Sequence, residues 1–258
     1  MLENGLPMKF KLFVFLLCFS LLGYSQIKKP KYYLQYAKDT LYSDVEYFNI
    51  SKKQHNIKLK SKLFSSLRYE NDTLVLHRLR HSYLFGKLDS IKRNQLFLLF
   101  SNRNKIDTTK IMVIHYQDTL KKISEFPEKS GVVYNKDSTS HRHAISHSDY
   151  VKNQRACTKN LRKKNTSEVY HFFKHNNGHP LTYKKERWYK DYFGIINELF
   201  RDYKTRFHTI VIHPNGDFFC MNYTDGNNKL LSDIAKGKRW EKHKNDFFEK
   251  LDYLNSIK

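Results

Sequence analysis

The sequence predicts an α/β protein, with a central mixed sheet and helices on both of its faces. Three observations carry that expectation. From Asp72 onward, strand-like and helix-like segments alternate, the pattern of a sheet covered by connecting helices. Residues 111–114 (IMVI) form an unbroken apolar run, which suits a strand buried on both faces. Residues 186–203 carry Trp188, Tyr192, Ile195, Ile196, Leu199 and Phe200 at helical spacing, a wide apolar stripe.

Residues 1–25 read as a signal peptide. Two lysines, Lys9 and Lys11, precede an apolar run of about 11 residues and then Gly-Tyr-Ser; the run is far shorter than the roughly 20 residues of a membrane span. Export to the periplasm, cell surface or medium is therefore expected. Residues 26–71 read as an N-terminal extension, an irregular Lys- and Tyr-rich arm followed by a short helix near 52–67. Residues 72–258 are expected to form a single α/β domain.

Within it, 72–79 (DTLVLHRL) reads as a strand after a turn signal. The segment 88–102 starts with a capping Asp or Ser and repeats leucine and isoleucine at helical spacing. Residues 108–120 are the second strand. Residues 121–147 hold Pro127, Gly131 and a polar run, so a surface loop insertion is expected there. A helix from Ser148, a strand over 167–173 and a turn at HNNGHP follow. Then come the helix predicted over 186–203, the hairpin of 208–226 and a final helical stretch over 230–254 with a break at Gly237.

The hairpin, HTIVIHPNGDFFCMNYTDG, turns at Asn215-Gly216 and leads through Asp-Gly into a helix. That ending, with the preceding order of elements, resembles the thioredoxin-like fold. The resemblance implies a Cys-x-x-Cys after Gln117 and a cis-proline at His208. Neither is present, and no cysteine occurs between Cys18 and Cys157. Thiol–disulfide exchange needs an attacking thiolate and a resolving thiol held together. Dithiol redox activity is excluded on this ground.

The chain is strongly basic, with 47 Lys and Arg against 25 Asp and Glu and a net charge of +22. Such a field attracts anionic partners, and an acidic envelope protein or an anionic glycan fits it. The basic residues are scattered rather than gathered into an arm, which argues against nucleic acid. Two cysteines remain beyond the signal peptide, Cys157 and Cys220. They exclude a disulfide framework but leave one pairing open, worth about 4 kcal/mol on the chain-entropy model.

Two histidine groups stand out. His141, His143 and His147 (HRHAISH) have spacings that could converge on zinc or copper. His171, His175 and His179 bracket the Asn-Asn-Gly turn. Asp followed by Ser or Thr recurs along the chain and resembles the O-glycosylation acceptor motif of Bacteroidetes, with Ser138 the best placed of them. Together with the signal sequence, the repeats look like those of an exported protein from that group. No phosphate loop, nucleophile elbow or His-Glu-x-x-His occurs, and no cofactor is expected. The residues thus point to an exported protein that acts by binding. A secreted hydrolase or metal-binding protein using the histidine loops, and a polyanion binder, are the alternatives.

Overall fold

The computed structural model describes residues 38–134, 141–162, 167–183, 186–201, 207–222 and 228–257. Residues 1–25, read above as a signal peptide, and Ser138 lie outside these. One compact unit spans Thr40–Lys258. No helix among the described residues is long and apolar enough to cross a membrane.

The chain is α/β, built on mixed sheet. A small sheet comes first, with β1 (Asp39–Ser43), β3 (Leu74–His81) and β2 (Phe64–Glu70) side by side. Helix α1 (Lys52–Lys60) precedes β2. Its start is fixed by a reciprocal cap in which Ser51 Oγ accepts from the Gln54 backbone N–H at 3.2 Å and Gln54 Oε1 accepts from the Ser51 N–H at 2.8 Å. Residues 52–70, read from sequence as part of an extension, thus supply a helix and a strand. Leu63 and Phe64 share a buried layer with residues of the main sheet.

The main sheet has seven strands: β4 (Tyr83–Lys87), β12 (Asp217–Met221), β11 (Thr209–Ile212), β5 (Ile111–Leu120), β8 (Ser167–Asn176), β10 (Glu186–Lys190) and β9 (Thr182–Tyr183), in that spatial order. β5 runs parallel to β8, and β8 to β10; β11 runs antiparallel to β5, and β12 antiparallel to β11. At the β11–β12 turn, Gly216 adopts a φ of +89°, the conformation expected of the glycine in an Asn-Gly turn. Gly86 of β4 lies opposite Phe218, whose ring leaves no room for a Cβ there.

Strand alternation divides the core into two layers. Met112, Ile114 and Tyr116 of β5 pack with Leu96 of α2 (Ser90–Leu99) and with Ile196 and Phe200 of α4 (Ile195–Phe200). Val113 packs on the other face. Its neighbours there are Leu161 of α3 (His147–Arg162), Ile234 of α5 (Asn228–Ala235) and Phe247 of α6 (Trp240–Ser256). The break between α5 and α6 falls at Gly237, which has a φ of +65°.

Two expectations are corrected. The helix predicted over 186–203 is a strand followed by one short helix. Trp188 and Tyr189 alternate to opposite faces, opposite His171 and Phe172 of β8. Pairing with β8 overrides the local helical spacing. The backbone then turns through positive φ at Phe193 and Gly194 before α4 begins. In the predicted loop over 121–147, β6 (Gly131–Tyr134) pairs with β7 (His141–Ala144) as an antiparallel hairpin. The paired segments include Val132 and Val133, whose β-branched side chains favour a strand.

Candidate functional site

At the carboxyl end of β5, beside helix α3, lie two adjoining clefts of about 330 and 360 Å³, the second bordered by β7. Gln117, Ile145 and Tyr150 line both. The Gln117 amide donates to Tyr150 Oη at 2.6 Å, so their side chains form the wall between them. His115, Tyr116, Asn153, Gln154 and His208 complete one cleft; His143, His179 and Glu125 are among the residues that line the other. Carboxyl ends of parallel strands are where open α/β sheets present ligand sites.

Under α3 lies a row of buried aromatic rings. β5 and β8 pair in a register that sets His115 beside His171, and their imidazoles stack with centroids 5.4 Å apart. His115 Nδ1 meets Thr209 Oγ1 at 3.2 Å, and its Nε2 meets Cys157 Sγ at 3.5 Å. Burial, reinforced by His171, pushes the His115 pKa from 6.5 down to about 3. His115 is thus held neutral between a hydroxyl and a thiol, each within hydrogen-bonding distance of one ring nitrogen. His171 Nε2 contacts Thr158 Oγ1 at 3.4 Å. Its ring lies 5.1 Å from Trp188, whose indole is 6.1 Å from His179. His179 in turn meets His147, Nε2 to Nε2, at 3.4 Å.

The opposite face of β5 carries a different network. Tyr116 donates to the buried Asp191 at 2.8 Å, and Asp191 also accepts from the backbone N–H groups of Ile196 and Asn197. Burial raises the Asp191 pKa. The Arg201 guanidinium lies over the Tyr116 ring and grips Asp118 with two bonds of 2.6 and 3.2 Å. These contacts anchor α4 to the sheet.

The residues singled out from sequence are distributed as follows. His143 is exposed on β7, and His147 is buried at the first position of α3. The side chain of His141 lies outside the described ones. Among the described residues, no three His, Cys, Asp or Glu side chains are assembled as a metal set. His175 is exposed at the end of β8. Cys157 and Cys220 do not form the disulfide considered from sequence: both are thiols, and the sheet stands between them. Cys157 packs in the layer of Val113, whereas Cys220 is buried in the layer of Ile114, where desolvation raises its pKa well above the ordinary range.

Sequence reading missed His115 and its pairing with His171. A signal was present, because both strands carry a histidine between an apolar or aromatic residue and an aromatic one, IHY and YHF, and the register superposes them. No family model, no curated protein and no solved structure matches this chain.

Proposed function

We propose that this protein is an exported, basic, non-redox binding protein of thioredoxin-like arrangement, and that the cleft beside Gln117 takes an anionic glycan. The single observation that carries this reading is the chemistry of the cleft wall. Gln117, Asn153 and Gln154 offer amides, and Tyr150 offers a ring and a hydroxyl. Amides and aromatic rings together grip a sugar by hydrogen bonding and stacking. A concave cleft of about 330 Å³ also suits a small ligand segment better than the broad contact of an acidic protein. The net charge of +22 supplies long-range attraction for the anionic groups.

The thioredoxin-like part of the proposal is supported by the strand order β8–β5–β11–β12, a parallel pair followed by an antiparallel hairpin. In that arrangement the cleft falls where the resemblance implies a Cys-x-x-Cys after Gln117. Here the neighbouring wall is Gln117, Tyr150 and His208. Export is supported by the pattern of residues 8–26.

Titration calorimetry with a uronic-acid oligosaccharide, beside a neutral oligosaccharide of equal length and an acidic peptide, tests the reading. The acidic sugar should bind, and Tyr150→Ala should weaken it by about tenfold, as loss of one stacking contact implies. Affinity should fall as salt rises. Equal affinity in Tyr150→Ala, or preference for the acidic peptide, would overturn the glycan assignment.

A further inference from the structure

From the contact between His147 and His179 we infer a transition-metal site of the zinc or copper class, independent of glycan binding. It joins one residue from each of the two sequence groups, a combination that spacing along the chain does not suggest. The two Nε2 atoms are 3.4 Å apart. That is at the outer edge of hydrogen-bonding distance, beyond the roughly 2.7–3.2 Å usual for protein N–H···O bonds. Two imidazole nitrogens bound to one tetrahedral zinc at about 2.0–2.1 Å each lie about 3.3 Å from one another. The pair is thus spaced for a shared ion.

The surroundings of His179 match that role. Its Nδ1 lies 2.9 Å from the Pro180 carbonyl oxygen, to which it donates, so that Nε2 is the nitrogen turned to His147. A metal-bound histidine commonly donates its other N–H to a backbone carbonyl in this way. The turn that carries His179 is fixed by Asn176, whose Oδ1 accepts from the Gly178 and His179 N–H groups at 2.9 and 2.7 Å. Its Nδ2 donates to the His179 carbonyl at 2.9 Å. Phe126 packs its ring against His147 at 5.1 Å, and Trp188 packs against His179. Both imidazoles are buried, so their orientation is set before any ion arrives.

Two protein ligands alone bind weakly. The third we assign is His143, which stands four residues before His147 and lines the same cleft as His179. Its imidazole and water from the cleft would complete the coordination. Nitrogen ligands of this kind select zinc or copper over magnesium or calcium.

The test uses the full chain purified without a histidine tag. Zinc competition against a chromophoric chelator should give one equivalent bound, and cobalt(II) should give the visible bands of a four-coordinate site. His147→Ala and His179→Ala should each weaken zinc by about 30-fold or more, and His143→Ala by about tenfold. His175→Ala should bind as the parent chain does. Circular dichroism checks that each variant is folded; His179→Gln, of closer shape, serves where alanine disturbs the turn. Absence of a stoichiometric zinc equivalent would overturn the site. So would unchanged affinity in folded His147→Ala and His179→Gln. An unchanged affinity in His143→Ala would overturn the assignment of the third ligand.

Discussion

The two faces of β5 make an instructive contrast. Even-numbered positions send Met112, Ile114 and Tyr116 into an apolar layer that ends in the Tyr116–Asp191 and Arg201–Asp118 contacts. Odd-numbered positions send Val113, His115 and Gln117 to the other side, where apolar packing gives way to imidazole, thiol and hydroxyl groups and then to an open cleft. On the first face the polar groups close the structure by bonding one another. On the second, the polar run leads outward to side chains that line space. Buried polarity alone therefore does not open a cleft.

This contrast can be broken by mutation, and the largest effect belongs to the closed face. Phe172 is fully buried against Phe100 and Tyr189, so Phe172→Ala should cost about 4 kcal/mol in denaturant-induced unfolding. A loss below about 1 kcal/mol would mean that this layer is not packed as described.

The next effect comes from the histidine face and depends on pH. The His115 pKa is depressed on folding from 6.5 to about 3, so the unfolded chain binds the extra proton between those values. Its stabilising contribution is complete above pH 6.5 and is lost as pH falls toward 3, at no more than about 1.4 kcal/mol per pH unit. His115→Gln should therefore lose stability with falling pH less steeply than the parent chain, by up to one proton. Unfolding curves at several pH values measure the slope, and coincident slopes would show that His115 is not held neutral.

The smallest effect separates packing from hydrogen bonding on the closed face. Tyr116→Phe keeps the ring under Arg201 but removes one of the three donors to buried Asp191. A loss of about 2 kcal/mol is expected, with the unfolding m-value unchanged. No loss would mean that the two backbone N–H groups of α4 satisfy Asp191 by themselves.

Much of the α/β pattern was legible in the residues because its signals are local. The apolar run of β5, the Asn215-Gly216 turn and the break at Gly237 are each decided by neighbours in sequence. The stretch from Glu186 to Lys190 was misread for a definable reason. Trp188 and the apolar residues that follow satisfy a helical period over a long window, while the alternation of Trp188 and Tyr189 that suits a strand is only a few residues long. The candidate site was less legible. His143 and His147 stood out by their spacing, but His115 looked like one polar residue at the end of an apolar strand.

Sequence by itself determined the basic charge, the absence of a Cys-x-x-Cys, and which way each residue faces once its element is known. Tertiary structure alone decided the partners. The parallel register of β5 and β8 stacked His115 on His171, and α3, lying over them, brought Cys157 to the pair while the sheet separated Cys157 from Cys220. The fold of the turn after β8 carried His179 to His147, 32 residues away. The physical reason is the same throughout. Local chemistry sets the conformation of a segment, whereas strand register and helix packing, which sum many weak contacts over distant residues, set what each side chain meets.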